Sequence, residues 1–158
     1  MEYSFIIRRA QVSDAADIKQ IMKFAFEKYA SDAGITSNVE ALFESCEQIE
    51  EDIRNKYVYI ALVDGMAVGS LRVEVNEDKT AYLTRFGVRS GFGNMGIGKS
   101  LMSLVDKLMI EKGVEQLKLH TASTYKELIR FYYGRGFYID STSKDRGYIR
   151  ALLVKKYK

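Results

Sequence analysis

Four glycines between residues 91 and 98 form the part of the sequence best suited to chemistry. They lie between a predicted strand that ends at Val88 and the clearest amphipathic helix pattern of the chain, at residues 97–112. Glycine tolerates open backbone angles and lets a ligand approach the main chain. The first turn of a helix also presents unpaired N–H groups and a partial positive charge. The spacing therefore predicts a phosphate-binding loop that runs into the helix.

Two well-known nucleotide-binding patterns can be written over this loop, and the surrounding sequence argues against both. Residues 93–100 spell G-x-x-x-x-G-K-S, the phosphate loop of ATPases and GTPases, and residues 91–96 spell G-x-G-x-x-G, the dinucleotide fingerprint. The first needs a further strand that ends in Asp to hold magnesium, and the second needs an acidic residue at the end of the next strand. The next predicted strand ends at His120 without a carboxylate. Both readings remain the less favoured alternatives.

The elements around the loop predict an α/β (α+β) fold, with a mixed, mostly antiparallel sheet of six to seven strands and about four helices packed on it. Hydrophobic periodicity predicts helices at residues 14–30, 38–54, 97–112 and 124–133. Apolar, β-prone runs predict strands at residues 5–8, 57–63, 68–75, 81–88, 117–120, 137–140 and 148–154. Tight turns join the three strands before the loop into an antiparallel meander. Residues 1–158 are interpreted as a single domain, because no linker or repeat interrupts them.

The second predicted helix, residues 38–54, carries two opposite stripes. The apolar stripe consists of Leu42, Cys46, Ile49 and Ile53, and the acidic stripe consists of Glu40, Glu44, Glu47 and Glu51. We expect the acidic stripe to be a solvated surface, although it could also attract a cationic substrate. Cys46 is expected to be a small core residue rather than a nucleophile.

Two motifs carry a resemblance to a known family. A strand that ends in Phe86-Gly87-Val88 is followed by a loop whose glycine pattern, at residues 93–98, opens a helix. This resembles the acetyl-CoA signature of the GNAT family of N-acyltransferases, a strand ending in L-x-V followed by Q/R-x-x-G-x-G/A. Residues 131–137 look like the second signature of that family, L-Y-x-x-x-G-F. Gly93 replaces the usual Gln or Arg of the first signature, but strand and helix order agree along nearly the whole chain.

The resemblance implies an N-acetyltransferase that moves an acetyl group from acetyl-CoA to a primary amine of a small molecule or protein. The main chain of Phe86, Gly87 and Val88 would pair with the pantetheine arm, and the Val88 N–H would polarise the thioester carbonyl. The pyrophosphate would bind the loop and helix start formed by Gly93, Asn94, Met95, Gly96, Ile97, Gly98, Lys99 and Ser100. Lys99 and Arg89 could supply the cationic contact that Gly93 lacks.

Tyr132 and His120 are the candidate catalytic residues. Tyr132 matches the tyrosine of the second signature and would protonate the departing thiolate, a role that suits a phenol with a pKa of about 10. His120, the only histidine, ends a neighbouring strand and could act as general base near neutral pH. A water chain, or an amine that arrives deprotonated, would serve as well. The acceptor pocket is expected around residues 29–38 and the loop 141–147, where mixed charge favours neither sign of acceptor.

Composition and charge set the remaining expectations. Hydrophobic residues make up 47% of the chain and charged residues 28%, with a formal net charge of +3, so neither nucleic acid nor a membrane is the expected partner. A cytoplasmic protein is expected, because the N-terminus lacks the layout of a secretion signal and no run could span a bilayer. No metal is expected, since no Cys or second His accompanies His120. A homodimer is a habit of the family, and a non-catalytic CoA-binding sensor is the main alternative function.

Overall fold

The computed structural model describes residues 4–36 and 39–157, and in these residues seven strands form one mixed sheet. The strands are β1 Phe5–Arg9, β2 Tyr57–Val63, β3 Met66–Val75, β4 Thr80–Val88, β5 Gln116–Ala122, β6 Tyr138–Ser143 and β7 Arg150–Lys156. The α-helices in this part of the chain are α1 Ala15–Ala33, α2 Cys46–Asn55, α3 Ile97–Glu111 and α4 Lys126–Gly134. The order in the sheet is β1-β2-β3-β4-β5-β7-β6. The predicted fold class is confirmed.

The sheet is antiparallel everywhere except between β4 and β5, and that junction is short. The parallel ladder joins Thr80–Tyr82 to Gln116–Lys118 and then ends. Beyond it, residues 83–88 of β4 and residues 119–122 of β5 diverge instead of pairing. The divergence leaves a gap in the middle of the sheet, on the side where the glycine-rich loop follows β4.

A β-bulge in β4 lies beside this gap. Ser70 of β3 pairs with Gly87, whereas Arg72 pairs with Thr84, so that β4 has one extra residue opposite Leu71. Arg85 takes a positive φ of 56° there. A bulge redirects neighbouring side chains. As a result, Arg85 turns toward the face of the sheet that carries α1 and α2, and the next side chain turns toward α3 and α4.

Two hydrophobic cores cover the two faces of the sheet. The larger one packs α3 and α4 against the sheet and includes Leu71, Leu83, Ile97, Leu101, Met109 and Leu117. The smaller one packs α1 and α2 against β2 and includes Ile18, Ile21, Ile49 and Ile60. Helix α1 also packs closely on β4, since a Cβ atom at Gly87 would lie 2.7 Å from the Cβ of Ala25. The backbone of β4 is therefore held from both sides.

The prediction of a continuous helix at residues 38–54 is wrong in its first half. A short 3-10 turn occupies Glu40–Leu42, and α2 begins only at Cys46. The physical reason is a capping box: the Gln48 N–H donates to Ser45 Oγ (3.2 Å), and the Ser45 N–H donates to Gln48 Oε1 (2.8 Å). Cys46 is consequently the first residue of the helix and is half-buried, which corrects its interpretation as a core residue.

The other elements differ from prediction by a few residues at their ends. Helix α1 continues beyond its predicted end at residue 30 to Ala33 and ends because Gly34 adopts a left-handed conformation with φ of 70°. None of the helices in residues 4–36 and 39–157 is long and apolar enough to cross a membrane. The cytoplasmic location stays a prediction.

Candidate active site

The gap between β4 and β5 is the mouth of a cavity of about 610 Å³. Its walls are residues 82–88 of β4, residues 119–121 of β5, the second half of α1, and one face of α4. Gly93 and Gly98 of the glycine-rich loop also line it. The sequence-predicted Phe86, Gly87, Val88, His120 and Tyr132 therefore all meet at one cavity.

The glycine-rich loop runs into the first turn of α3, where backbone N–H groups have no hydrogen-bond acceptor within the helix. A 3-10 turn at Gly93–Met95 is followed by Gly96, whose φ of 80° sets the direction of α3. The Ser100 N–H donates to the Gly96 carbonyl (3.0 Å). The amides that precede Ser100 in this first turn have no acceptor inside the helix. They form an anion-binding cradle of the kind that phosphates occupy.

The predicted loop residues contribute to this cradle in different ways. Gly98 lies under two aromatic rings: a Cβ atom there would lie 3.2 Å from Phe86 Cζ and 3.5 Å from Phe131 Cζ. Ile97 is completely buried in the core and offers only its backbone, and Met95 packs against the same core. Asn94 and Lys99 are exposed, while Gly96 and Ser100 are partly buried. Backbone amides, rather than a set of charged side chains, therefore dominate the cradle.

Val88 directs its backbone N–H into the gap. The Arg89 N–H donates to the Val68 carbonyl (2.7 Å), which makes Arg89 and Val68 a hydrogen-bonded pair across the β3–β4 ladder. Hydrogen-bonded and non-hydrogen-bonded pairs alternate in antiparallel strands. The next pair, Gly69 with Val88, is therefore a non-hydrogen-bonded pair. The Val88 N–H and carbonyl consequently point away from β3 and toward the diverging β5.

Arg89 itself lies on α1 rather than in the cradle. Its guanidinium carbon is 4.7 Å from the centroid of the Phe24 ring, a cation–π contact. This contact holds the guanidinium against α1. Of the two cations suggested as substitutes for the missing Gln or Arg, only Lys99, which is exposed on the first turn of α3, lies within the predicted loop itself.

Tyr132 is buried at the inner wall of the cavity, with 3% of its surface exposed. Its ring packs against Phe86, Phe131 and Phe137, with centroid distances of 6.2, 5.6 and 5.6 Å. Burial, reinforced by the neighbouring Tyr29, raises the pKa of Tyr132 well above its ordinary value. The phenol therefore stays protonated at neutral pH and has a proton to give.

His120 is half-buried on the facing strand and is hydrogen-bonded through Nδ1 to the hydroxyl of Tyr82. Burial lowers the pKa of His120, and the nearby Arg150 lowers it further. Burial raises the pKa of Tyr82. The imidazole is thus neutral at pH 7 and able to accept a proton. Tyr82 was missed in the sequence, although its register with Lys118 places it on the same face as His120.

Tyr29 closes the acceptor end of the cavity. Its hydroxyl accepts a hydrogen bond from the Ala122 N–H (2.7 Å), and its ring lies 5.7 Å from that of Tyr125. Tyr125 in turn donates to Asp32 Oδ2 (2.9 Å), which ties the end of α1 to the start of α4. Tyr29 and Arg146, one from each predicted acceptor segment, line the same cavity. Ser37 and Asn38, at the end of the first segment, lie outside the described residues.

A buried ion cluster lies behind the cavity beside α2, where only its Asp52 lines the cavity, and it corrects the interpretation of the acidic stripe. Glu44 is not solvated: its side chain is 9% exposed and accepts two hydrogen bonds of 2.7 Å from the fully buried Arg72. Arg72 also donates to Asp52 (2.9 Å). The remaining glutamates of the stripe, Glu40, Glu47 and Glu51, are exposed as expected. The prediction failed because Arg72 approaches from a strand 28 residues away in the sequence.

The cavity also contains buried polar atoms that have no partner. The hydroxyl of Thr121 and the Nε atom of Arg85 are both buried without a hydrogen bond, and both residues line the cavity. Such atoms are costly unless a ligand or water satisfies them. Together with the cradle and the Val88 N–H, they leave this region with polar groups that a polar ligand could satisfy. Residues 4–36 and 39–157 hold no cluster of three or more His, Cys, Asp or Glu side chains suited to a metal.

Comparison with known proteins gives the same family. The sequence profile of the acetyltransferase (GNAT) family matches residues 18–137. An uncharacterized N-acetyltransferase of Chlorobaculum tepidum is 28% identical over 144 residues, which cover 87% of this chain and 85% of that protein.

Solved structures share the fold. The PaiA N-acetyltransferase of Thermoplasma acidophilum, in complex with coenzyme A, superimposes with a TM-score of 0.86 at 21% identity, over 98% of this chain and 99% of that one. The yncA protein of Salmonella typhimurium, with its cofactor acetyl-CoA, gives a TM-score of 0.77 at 13% identity, over 98% and 95% of the two chains. The strand order, the cradle and the family profile agree, and this chain belongs to the GNAT family of acetyltransferases.

Proposed function

We propose that this protein transfers an acetyl group from acetyl-CoA to a primary amine by direct attack of the amine on the thioester. The observation that carries the proposal is the divergence of β4 and β5 directly beside the amide cradle at the start of α3. A phosphate-rich donor can bind the cradle while its thioester lies in the gap. The coenzyme A and acetyl-CoA named for two proteins of the same fold support this assignment of the donor.

The donor is held mainly by backbone groups. The edge of β4 at residues 86–88 is left without a strand partner on the β5 side and can pair with the amide groups of the pantetheine arm. The Val88 N–H is then positioned to donate to the thioester oxygen as negative charge develops there. One such donor lowers the barrier by about 3 kcal/mol. Donor binding tolerates Gly93 in place of the usual Gln or Arg, because the neighbouring backbone amides remain.

The proton transfers are assigned to the two sides of the gap. The neutral amine attacks the thioester carbon and passes a proton to Nε2 of His120, while Nδ1 is hydrogen-bonded to Tyr82. This proton later returns through solvent to Tyr132. The C–S bond then breaks, and the departing thiolate takes a proton from the Tyr132 hydroxyl. The products are an N-acetyl amide and free CoA. Each of these general acid and base steps is typically associated with a rate factor of about 10²–10⁴.

Calorimetric titration of the purified protein with acetyl-CoA, with ATP–magnesium and NAD as parallel controls, tests the donor. We expect binding of acetyl-CoA in the micromolar range and no binding of the two controls. Binding of ATP without a response to acetyl-CoA would overturn the proposal in favour of the phosphate-loop alternative. A thiol-release assay with a panel of amines then separates the enzyme from the CoA sensor, which binds acetyl-CoA but acetylates nothing.

A further inference from the structure

Arginine side chains line the acceptor end of the cavity. Arg85 projects from the β4 bulge, and Arg146 and Arg150 reach in from the chain around β7. Arg150 is 11% exposed, whereas its partner Asp145 is 55% exposed. Arg146 is 33% exposed, and its partner Glu40 is 61% exposed. In both pairs the cation lies deeper than the anion, so solvent screens the anions more effectively than the cations.

Arg85 is incompletely neutralised. The carboxylate nearest to it is Glu44, at 3.7 Å from its Nε atom. Both oxygens of Glu44 already accept short hydrogen bonds from Arg72. The Nε atom of Arg85 is buried without a hydrogen-bond partner. Because this ion pair is long and Arg85 lines the cavity, its guanidinium remains suited to bind a ligand carboxylate in a bidentate manner.

The same three arginines act on the proton-transfer pair. Burial is the main cause of the raised pKa of Tyr82, and Arg150, Arg146 and Arg85 all oppose it, whereas Asp145 reinforces it. Burial lowers the pKa of His120, Arg150 and Arg146 lower it further, and Asp145 raises it. Three arginines and a single carboxylate, Asp145, thus act on the Tyr82–His120 pair, which is an excess of positive charge. A positive potential disfavours a bound polycation and favours an anionic group.

In the described part of the chain, five cations line the cavity against three carboxylates, Glu40, Asp52 and Glu127. Asp52 accepts from Arg72 and forms an ion pair with Lys56 (3.3 Å), and Glu40 pairs with Arg146 (3.5 Å). The third, Glu127, is exposed on the first turn of α4, so that most of the negative charge at the cavity is already paired. The cavity is thus arranged for the opposite sign of charge.

We propose that the acceptor is a small primary amine that carries a carboxylate, and that Arg85, assisted by Arg146 and Arg150, binds this carboxylate so that the amine lies beside His120. The inference rests on the proposed function and specifies its substrate class. The N–C bond forms as the C–S bond breaks. The nitrogen proton goes to His120, and the thiolate takes its proton from Tyr132.

The test compares acceptors of different charge, with acetyl-CoA as donor and thiol release as the readout, and each amino acid is matched by its carboxamide. The panel contains α- and β-amino acids, their carboxamides, a polyamine, and a short peptide that begins with Asp. We expect removal of the carboxylate to lower kcat/KM by about tenfold or more, because a charge-assisted bidentate contact is lost. The Asp peptide distinguishes a free amino acid from a protein N-terminus as the source of the carboxylate.

Variant Arg85→Gln supplies the matched comparison. It should lower kcat/KM for the amino acid by about tenfold or more, mainly through KM, and lower that for the carboxamide by a clearly smaller factor. Equal losses for acid and carboxamide, or a wild-type preference for the polyamine, would refute the inference. Circular dichroism and acetyl-CoA titration establish that the variant is folded, and Arg146→Gln replaces it if it is not.

The outcomes separate this inference from the proposed function. Acetylation of the polyamine alone leaves an acetyltransferase but overturns the carboxylate site. Binding of acetyl-CoA with no amino acid accepted overturns it as well. Failure to bind acetyl-CoA removes the proposed function itself.

Discussion

The two sides of the cavity present different chemical groups to a ligand. On the donor side, between β4 and α3, the groups available to a ligand are backbone amides. The residues around these amides are glycines and packed aromatic residues. On the acceptor side, between α1, α2 and β7, they are charged and phenolic side chains, several of them held in ion pairs. A backbone site keeps its chemistry when side chains change. A side-chain site takes its specificity from a few residues, so the donor side can be shared across a family while the acceptor side differs.

Tyr132 lies where the two sides meet, and its hydroxyl should have the largest effect on rate. Tyr132→Phe removes the proton donor for the thiolate and should lower kcat by about 10²–10⁴-fold. Affinity for acetyl-CoA should hardly change, because the ring packing is kept. Steady-state kinetics and calorimetric titration measure the two quantities. Tyr133→Phe, at the half-exposed neighbouring position, is the control and should keep its turnover. An unchanged kcat in Tyr132→Phe would show that the acid lies elsewhere.

Arg72 tests how far the acceptor wall depends on charge. Arg72→Met leaves Glu44 and Asp52 without their shared partner and should lower the free energy of unfolding by about 3–5 kcal/mol. Urea denaturation provides the measurement. Lys79→Met removes an exposed ion pair with Glu115 (3.7 Å) and should cost less than about 1 kcal/mol. Similar small losses in both variants would mean that the buried cluster does not hold this wall.

Gly98 tests the donor side. Gly98→Val places branched carbon atoms against Phe86 and Phe131 and over the amide cradle, and should weaken acetyl-CoA binding by about tenfold or more. Gly93→Ala is the matched control, since a Cβ atom at Gly93 would meet no atom within 4 Å. Calorimetric titration measures the affinity of both variants for acetyl-CoA. Equal affinities would indicate that the cradle is not the site of the donor phosphates.

The pH profile shows the smallest effect and reports on both sides together. A base must be neutral to act, so kcat/KM should fall as pH decreases through the pKa of His120. Burial, Arg150 and Arg146 lower the pKa of His120, whereas Asp145 raises it. The midpoint of the pH profile should therefore lie below the ordinary histidine value of about 6.5. Arg150→Gln should move the midpoint upward, whatever its effect on the rate itself. His120→Gln, with Tyr82 left unpartnered, should abolish this limb of the profile; its persistence would assign the titration to another group.

The difference between the two sides also explains what the sequence could predict. The glycine spacing, the helix that follows it and the strand order were readable, because they depend on local backbone preferences. The contacts of Glu44 with Arg72 and of Tyr82 with His120 were not, since each joins residues far apart in sequence whose register only the folded sheet defines. The start of α2 was readable in principle: Ser45 and Gln48 have the spacing of a capping box. The periodicity of residues 38–54 extends to the N-terminal side of this cap, and it therefore predicted a longer helix than the structure has.

The short ladder between β4 and β5 has a consequence for folding cooperativity. In the described residues, strand pairing between the four-stranded and the three-stranded half of the sheet is confined to Thr80–Tyr82 and Gln116–Lys118, although the larger core spans both halves. A pantetheine arm bound along β4 would continue the interrupted hydrogen bonding as an extra strand supplied from outside the chain. A ligand at a hundredfold excess over its Kd adds about 2.7 kcal/mol to the free energy of unfolding. The resistance of this sheet to separation into halves, and with it the lifetime of the protein, would then rise and fall with the supply of acetyl-CoA.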